Sequence, residues 1–375
     1  MAEKKLAFGM MRLPLTDPED TTAIDYETVN KMVDSFMARG FIHFDTAAPY
    51  HKMTSEIAVR ECLVKRYSRE SFTLTNKLSL FMVEKEEELE PFFAGQLERC
   101  GVDYFDYYWL HAMSAERARK AEELHAFEFV REKKAQGKIR HIGLSFHDSA
   151  EVLDQILTDH PEMEYVQLQI NYLDWEDPEV QSRKCYEVCR KHGKPVMVME
   201  PVKGGVLASL VPEAEALLKK ADPKASLASW AIRFAASLDN VCMVLSGMST
   251  PEQMEDNLSY MEELKPLTGE EIKLLEKVVE VIHSKATIAC TACRYCVDGC
   301  PMGIAIPDYF ALMNDLSKFG ETRLGRNKQS YARFTGEGGK GLASACVGCG
   351  QCEGQCPQHL PIIQYLKDVA ATFEG

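Results

Sequence analysis

The sequence predicts an α/β protein: a (β/α)8 TIM barrel followed by a small α-helical domain that carries two cysteine motifs. Eight short apolar runs alternate with longer amphipathic stretches between residues 6 and 261, as expected of eight strand–helix repeats. A doubly wound open sheet is the competing fold, but the count of eight favours a closed barrel. No G-x-G-x-x-G follows the first apolar run, so the dinucleotide-binding fingerprint of an open sheet is absent. We assign the barrel to residues 1–284 and the second domain to residues 285–375.

The predicted strands are short apolar runs, and the predicted helices are the amphipathic stretches between them. The strands cover Leu6–Gly9, Phe41–Asp45, Phe72–Lys77, Tyr104–His111, His141–Ser145, Tyr165–Ile170, Pro195–Met199 and Val241–Ser246. The helices cover Tyr26–Arg39, Ser55–Tyr67, Glu84–Cys100, Glu116–Gln136, Ser149–Thr158, Pro178–His192, Lys224–Ser237 and Thr250–Met261. We place Ser55, Ser149 and Thr250 as N-cap residues, and Pro251 follows Thr250 at a first-turn position.

Eight of the thirteen cysteines fall into two copies of one spacing, C-x2-C-x2-C-x3-C-P. The copies are Cys290, Cys293, Cys296 and Cys300 before Pro301, and Cys346, Cys349, Cys352 and Cys356 before Pro357. This run is typical of bacterial two-cluster ferredoxins, in which each fourth cysteine ligates the other cluster. We therefore predict two [4Fe–4S] clusters, one on Cys290, Cys293, Cys296 and Cys356 and one on Cys346, Cys349, Cys352 and Cys300. Structural zinc sites, the alternative, use separated cysteine pairs rather than chained triplets.

The cysteine region is an internal repeat, because each cysteine of the first motif recurs 56 positions later. A helix over Gly269–Ser284 leads into this region. An apolar helix follows each motif, and we predict these two helices over Pro307–Phe319 and Pro361–Phe373. The 45 residues between Cys300 and Cys346 are long for a small β-type ferredoxin, so we expect an α-helical one.

Composition and charge narrow the classes of function. Hydrophobic residues make up 46% of the chain and charged residues 27%, as in ordinary globular proteins. A formal net charge of −14 argues against nucleic acid or an anionic membrane as a partner. No stretch approaches the roughly 20 apolar residues of a membrane span. Because clusters need reduced thiolates, we expect a cytoplasmic protein, and an anaerobic host fits their sensitivity to oxygen.

Four polar residues lie at or just after the ends of the second to fourth predicted strands, where a TIM barrel places its chemistry. They are Asp45, Tyr50, Lys77 and His111. We expect Lys77 to lower the pKa of Tyr50 and Asp45 to hold Lys77 in place. His111 would orient a carbonyl oxygen or relay a proton. Taken singly, Asp45 could cap a helix, Lys77 could be solvated and His111 could be a core histidine. Together they predict protonation of a developing alkoxide while hydride arrives at carbon.

From Leu6 to about Met261, the chain resembles the aldo-keto reductases. The matching segments are FIHFDTAAPY at Phe41–Tyr50, TNK at Thr75–Lys77, YFDYYWLH at Tyr104–His111 and KIRHIGLS at Lys138–Ser145. The resemblance implies that Asp45, Tyr50, Lys77 and His111 form the catalytic tetrad of that family. It also implies that Ser145 and Gln167 hold the nicotinamide carboxamide, with Asn171 near the same rim. The alternatives are a strand-end turn hydroxyl for Ser145 and a residue between barrel layers for Gln167.

The chain departs from the family where the rest of the nucleotide would bind. Met199 stands where the family usually has an aromatic ring that stacks on the nicotinamide. Residues 247–257, where members that use NADPH carry basic residues, contain no lysine or arginine. In that segment Asn257 matches a family residue near the adenine, whereas Glu255 and its neighbour Asp256 would repel a 2′-phosphate. NADPH is therefore disfavoured, and NADH, a flavin or no nucleotide remain open.

Lys203, followed by two glycines, is a further candidate for nucleotide binding. Its ammonium could hold a pyrophosphate or phosphate, and a solvated loop lysine is the alternative.

These observations predict an iron–sulfur oxidoreductase of the aldo-keto reductase type. It would reduce a carbonyl or similar acceptor of a small molecule, with Tyr50 as the general acid and electrons from a nicotinamide nucleotide, the clusters, or both. The second hypothesis is an electron-transfer module that passes electrons between ferredoxin-like partners and a nucleotide or flavin, with a tetrad that is not catalytic. A barrel that serves only as an interaction scaffold is the third, and the clusters disfavour it.

Overall fold

The computed structural model describes residues 4–18, 20–178, 180–284, 288–319, 323–336 and 338–375. Contacts divide the chain into two compact units. The barrel unit contains the chain up to Pro201 together with Ser229–Leu267, and the cysteine unit contains Val202–Ala228 together with Thr268–Gly375. By contacts, the segment that follows the seventh strand thus belongs to the cysteine unit. The domain limits 1–284 and 285–375 stay a prediction, and residues 285–287 at their boundary lie outside the described part.

Eight parallel strands close into a barrel in chain order, which confirms the predicted fold class. They are β1 (Leu6–Gly9), β2 (His43–Asp45), β3 (Thr73–Leu78), β4 (Phe105–Met113), β5 (Ile139–Phe146), β6 (Tyr165–Gln169), β7 (Val196–Met199) and β8 (Val241–Ser246). Closure is visible at Phe8 of β1, which is paired with Phe44 of β2 on one side and with Ser246 of β8 on the other. The open-sheet alternative is therefore excluded.

The barrel interior is packed with side chains rather than open. One buried cluster consists of Ala7, Trp109, Met197, Met243 and Leu245. Gly143 of β5 makes room for the indole in this cluster, because a Cβ atom there would lie 2.6 Å from the Trp109 ring. The large ring of β4 thus fits only against a residue without a side chain on the neighbouring strand.

Helices follow the strands of the barrel unit. They are α1 (Tyr26–Ala38), α2 (Thr54–Val59) with a π turn at Arg60–Val64, α3 (Leu89–Cys100), α4 (Ala115–Glu123), α5 (Ala126–Ala135), α6 (Ala150–Asp159), α7 (Ser182–Lys191), α9 (Leu227–Ala236, mostly in this unit) and α10 (Pro251–Met261). The caps predicted at Ser149 and Thr250 are present, since each side chain accepts a hydrogen bond from a first-turn amide.

Two of the predicted helix features are wrong. Ser55 is not an N-cap: it is buried inside α2, where its hydroxyl donates to the Met10 carbonyl at 2.9 Å and bonds to Thr46 at 2.8 Å. The single helix predicted over residues 116–136 is two helices, α4 and α5. The break falls at His125, whose left-handed φ of 53° interrupts the helical backbone.

The cysteine unit is helical, as predicted. Its helices are α8 (Pro212–Ala221), α11 (Gly269–His283), α12 (Ile306–Phe319), α13 (Leu324–Thr335), α14 (Gln351–Gly354) and α15 (Ile362–Phe373). The two helices predicted after the cysteine motifs are α12 and α15, and they bury Tyr309, Phe310, Leu366 and Val369 in a common core. Among the described residues, no helix combines the length and apolar character needed to cross a membrane.

Candidate active site and cysteine-lined cavities

The carboxyl ends of β2 and β3 hold a buried ion pair. Lys77 Nζ donates to Asp45 Oδ1 at 2.6 Å and to the Thr46 carbonyl at 2.9 Å. Both charged side chains are almost inaccessible to solvent. A buried charge needs such a partner, because desolvation of a single ion costs several kcal/mol.

Tyr50 and His111 lie beside this pair, so the structure brings all four predicted residues together. Lys77 Nζ is 4.9 Å from the centroid of the Tyr50 ring. The rings of Tyr50 and His111 meet edge to face, with their centroids 6.2 Å apart. A phenol, an ammonium and an imidazole therefore lie side by side near the carboxyl ends of β2, β3 and β4.

The pKa of Tyr50 differs from the expectation. Burial raises it well above 10, the carboxylates of Asp45 and Glu200 raise it further, and Arg12 lowers it. The lowering expected from Lys77 does not prevail, because burial and the carboxylates of Asp45 and Glu200 outweigh its ammonium. Tyr50 is thus a neutral phenol at physiological pH, which is the form that a proton donor requires.

Burial also sets the charge of the other members of the tetrad. It lowers the pKa of Lys77 and raises that of Asp45, while their mutual attraction opposes both shifts. Burial lowers the pKa of His111 well below 6.5, and the nearby cations Lys77 and Arg117 act in the same direction. His111 is therefore a neutral imidazole near pH 7.

His111 is oriented by a residue that the sequence analysis did not identify. Its Nδ1 lies 2.7 Å from the hydroxyl of Ser79, which follows β3. Ser79 is buried and stands two positions after Lys77. A polar residue so close to the predicted strand end was the available signal.

A buried polar network lies behind Lys77 and fixes its backbone. Asn76 Oδ1 accepts from the Lys77 amide at 2.8 Å, and Gln96 Nε2 donates to the Lys77 carbonyl at 3.1 Å. Glu56 joins both amides, because its Oε1 accepts from Asn76 at 2.8 Å and from Gln96 at 3.0 Å. Arg99 balances the charge of Glu56 through a 2.5 Å hydrogen bond.

The chain just after Tyr50 has an unusual backbone that is anchored by a histidine. The residues from His51 to Met53 all have positive φ angles between 49° and 74°. His51 Nε2 accepts from the Leu13 amide at 3.1 Å, and its Nδ1 donates to the Thr21 carbonyl at 2.7 Å. These two bonds require a neutral ring, and burial lowers the pKa of His51 accordingly. His51 thus ties the segment after Tyr50 to the N-terminal loop.

Ser145 and Gln167, the candidates for the nicotinamide carboxamide, lie on neighbouring strands. Ser145 Oγ accepts from the Ala112 amide at 2.7 Å, where β4 bulges and Ala112 has a left-handed φ of 55°. Gln167 Nε2 is 3.4 Å from Asp45 Oδ2. Gln167 therefore adjoins the tetrad, and Ser145 keeps its O–H for a further acceptor.

Asn171 and Asn257 are largely engaged in shaping the loops and helices after their strands. Asn171 Nδ2 donates to Asp174 at 2.6 Å and to the Glu200 carbonyl at 3.1 Å. Asn257 Nδ2 donates to Ser246 Oγ at 2.8 Å. Both side chains are buried.

Met199 is the last residue of β7 and is half-buried. Glu255, which was expected to repel a 2′-phosphate, contacts Arg39 and Ser35 through its two carboxylate oxygens. The basic side chain of Arg39 offsets part of that negative charge.

The eight motif cysteines line two cavities, four to a cavity. Cys290, Cys293, Cys296 and Cys356 line the first cavity. Cys300, Cys346, Cys349 and Cys352 line the second. The fourth cysteine of each motif thus lies with the first three of the other, as in the grouping predicted from the spacing. Four cysteines at each cavity match the ligand number of a [4Fe–4S] cluster.

Lys203 lies in the cysteine unit, and its side chain is not exposed to solvent. Its Nζ donates to Gln358 Oε1 at 2.8 Å, and the side chain is buried. The next residue, Gly204, packs so closely that a Cβ atom would lie 2.3 Å from the Thr291 carbonyl oxygen. Thr291 and Gln358 both line the first cavity. The structure therefore directs Lys203 to the first cavity and excludes a solvated lysine, whereas the phosphate contact stays a prediction.

Comparisons with known proteins agree with this division of chemistry. A family model described as the aldo/keto reductase family matches residues 5–280, and one described as a 4Fe-4S dicluster domain matches residues 289–360. The NADH-specific methylglyoxal reductase of Escherichia coli (strain K12) is 23% identical over 268 residues, which cover 58% of this chain and 77% of that protein. An aldo-keto reductase of Mycobacterium avium (strain 104) is 27% identical over 270 residues, covering 70% and 86%.

Solved structures show the same fold. The holo form of an aldo-keto reductase from Bacillus halodurans matches with a TM-score of 0.59 and 23% identity, over 73% of this chain and 91% of that one. An aldo-keto reductase from Klebsiella pneumoniae in complex with NADPH matches with a TM-score of 0.57 and 18% identity, over 73% and 90%. The chain therefore belongs to the aldo/keto reductase family and is an oxidoreductase of that type with a C-terminal 4Fe-4S dicluster domain.

Proposed function

We propose that this oxidoreductase reduces a carbonyl, or a similarly polarised acceptor, of a small molecule, with Tyr50 as the general acid. The observation that carries the proposal is the neutral Tyr50 phenol beside Lys77 and His111. Reduction of a carbonyl to an alcohol consumes two electrons and two protons. Tyr50 supplies the proton that the oxygen receives.

The other three residues of the tetrad prepare that proton transfer. With the Ser79 hydroxyl donating to Nδ1 of neutral His111, the ring proton lies on Nε2 and is available to the substrate oxygen. Lys77 stabilises the phenolate left when Tyr50 loses its proton, since a nearby cation favours that form. Asp45 holds Lys77 in place throughout.

When bound, a nicotinamide nucleotide supplies hydride, and iron–sulfur clusters supply single electrons. The position of Gln167 beside Asp45, and the free O–H of Ser145, support a nicotinamide near the tetrad. We favour NADH over NADPH because residues 247–257 contain no basic residue, although the Klebsiella relative binds NADPH. A flavin as an intermediary between one-electron and two-electron chemistry is the alternative to a nucleotide.

The test is carbonyl reduction by anaerobically purified protein, starting with methylglyoxal, which the name of the Escherichia coli relative suggests. Loss of a general acid costs about 10²- to 10⁴-fold, so Tyr50→Phe should lower kcat/KM by at least about 100-fold with unchanged iron content. Tyr104→Phe is the matched control, because it removes the hydroxyl of the residue just before β4, at the end of the strand away from His111. Equal activity of Tyr50→Phe and the parent would refute the role of Tyr50.

We further propose that the eight motif cysteines ligate two [4Fe–4S] clusters in a reducing cytoplasm. The crossed grouping of Cys300 and Cys356 supports this ligand set. The double variant Cys293→Ser/Cys356→Ser should lose one cluster, because both residues line one cavity. Cys349→Ser/Cys356→Ser should lose both clusters. Iron analysis and the spectrum of the reduced protein distinguish these outcomes, and equal losses in the two variants would contradict the crossed grouping.

A second function is favoured by the two cavities themselves. A pair of clusters typical of ferredoxins is suited to passing single electrons between partner proteins. In that case, the clusters would accept electrons from a ferredoxin, and Tyr50→Phe would leave the electron flow unchanged.

A further inference from the structure

The internal repeat relates two positions beside the first cavity to two beside the second. Thr291 follows Cys290 as Val347 follows Cys346, and Gln358 follows Pro357 as Met302 follows Pro301. Each equivalent pair lies 56 residues apart. Thr291 and Gln358 line the first cavity, whereas Met302 and Val347 line the second. The two cavities therefore have corresponding faces.

The face of the first cavity is covered by the protein's own chain. Thr291 is 2% exposed and Gln358 is 7% exposed. Gly204 packs on the Thr291 backbone, and Lys203 donates to Gln358. Polar groups at these two positions thus have partners within the cysteine unit.

The corresponding face of the second cavity is open and apolar. Val347 is 62% exposed and Met302 is 40% exposed. Leu342, which is 45% exposed, adjoins them because its neighbour Gly341 packs on the Met302 carbonyl. Cys349 is exposed at the same cavity. Segments 299–306 and 341–352, which form this face, contain no charged residue.

We propose that this open face, formed by Met302, Leu342, Val347 and Cys349, docks a small one-electron carrier protein of the ferredoxin type. The proposal rests on the proposed function of the cysteines as cluster ligands. Exposed apolar patches of this kind mark interaction sites, and electron-transfer complexes use small, transient interfaces. The carrier takes the place that residues 203–204 occupy on the first cavity. In each encounter, the carrier is oxidised by one electron and the second cluster is reduced by one.

The face carries no acidic or basic side chain, so we expect the docking to rely mainly on apolar contact. Placing either a positive or a negative charge on Val347 should therefore weaken it.

The experiment measures how fast two reductants reduce the clusters of the full-length holoprotein. One is a dithionite-reduced bacterial ferredoxin with two [4Fe–4S] clusters, and the other is reduced methyl viologen, which needs no docking site. Val347→Lys and Val347→Asp should each slow reduction by ferredoxin at least tenfold. With viologen, their opposite charges should shift the rate of reduction only modestly and in opposite directions, because they act on the adjacent cluster with opposite sign. Ile272→Lys, which charges an exposed apolar residue of α11, is the control and should slow neither.

Unchanged rates with ferredoxin in both Val347 variants would overturn the proposal. Equal slowing with both reductants would also overturn it, because the substitutions would then act on the cluster itself. A parent protein that is a dimer, and that Val347→Lys converts to a monomer, would assign the face to a second copy of this chain instead. If the cysteines did not ligate two clusters, iron analysis would show it independently, because the parent protein would lack the iron of two clusters.

Discussion

Asp45 and Lys77 form a buried ion pair beside Tyr50, the residue that we propose as the proton donor. Burial and the Asp45 carboxylate outweigh the ammonium of Lys77, so Tyr50 stays protonated. In the proposed proton transfer, Lys77 still makes the phenolate less costly than it would be in a site without the ammonium. We had expected Lys77 to lower the pKa of Tyr50. That expectation left out burial and the Asp45 carboxylate, which balances the charge of the lysine.

The same ion pair predicts a large effect on stability. Lys77→Met should destabilise the protein by about 3–5 kcal/mol, because it leaves the Asp45 carboxylate buried without a partner. The double variant Lys77→Met/Asp45→Asn removes both charges and should recover much of the lost free energy of unfolding, as measured in urea. Its carbonyl reduction should remain abolished. Additive destabilisation in the double variant would contradict a coupled pair.

A buried histidine predicts a dependence of stability on pH. His43 lies between the hydroxyls of Thr73 and Thr75, each 2.9 Å from a ring nitrogen. Burial and, to a smaller extent, the charge of Lys77 lower its pKa to about 3. As the pH falls below about 6.5, the unfolded chain binds a proton that folded His43 does not, so stability is lost at up to about 1.4 kcal/mol per pH unit.

His43→Gln cannot titrate, so stability should fall less steeply between pH 7 and pH 5 than in the parent protein. Urea midpoints across this range provide the measurement, and His359→Gln, which removes an exposed histidine, is the control. An unchanged slope in His43→Gln would show that His43 does not resist protonation.

Lys203 predicts a redox effect, because its buried ammonium bonds to a residue that lines the first cavity. A nearby cation favours the more negative, reduced form of a cluster. Lys203→Gln should therefore lower the reduced-to-oxidised ratio of one cluster about tenfold at a fixed potential, or about 59 mV for a one-electron couple. Potentiometric titration followed by electron paramagnetic resonance measures this shift, with Lys277→Gln on α11 as the surface control. Unchanged potentials with weaker NADH binding would instead support the phosphate role.

Sequence patterns identified the residues that stand at predictable places. Asp45, Lys77 and His111 lie at or near strand ends, so counting strands was enough to locate them. Ser79 and Glu56 were missed because a bond to His111, or a place in a buried network, depends on side-chain direction. Gln358, 155 residues from Lys203 in the chain, had no local signal at all.

At the scale of the secondary structure elements, all eight strands were predictable because apolar runs of a parallel barrel are buried on both faces. The division between α4 and α5 was not, because His125 adopts a left-handed conformation that glycine or asparagine usually signals. The helix α8 was not predicted, although the sequence contains a signal for it. Pro212 lies in its first turn, and two acidic residues lie near its start.

The turn after β7 gives a prediction at this scale. Gly204 and Gly205 both have positive φ angles, but only Gly204 packs against Thr291. Gly204→Ala should disturb the first cavity and lower the iron content from about eight to about four per chain. Gly205→Ala carries similar backbone strain in open space and should retain about eight. Equal iron contents in the two variants would contradict a structural role for the contact with Thr291.

At the scale of the whole molecule, the segment that follows β7 is grouped with the cysteine unit rather than with the barrel unit. The sequence predicted two domains in succession because its repeats and motifs are contiguous. A segment that leaves one unit and joins another through contacts such as Lys203 to Gln358 cannot be recognised from local patterns. The resulting chain carries the tetrad around Tyr50 and a pair of cysteine-lined cavities on one polypeptide.

Coupling between these two sites is most directly tested by a single-turnover experiment. Protein with chemically reduced clusters, freed of reductant and supplied with NAD⁺, is mixed anaerobically with methylglyoxal while cluster oxidation and alcohol formation are followed. We predict that two electrons leave the clusters for each alcohol formed, and that Tyr50→Phe slows both processes at least about 100-fold. Clusters that stay reduced, in a protein that reduces the same carbonyl with NADH alone, would contradict the coupling.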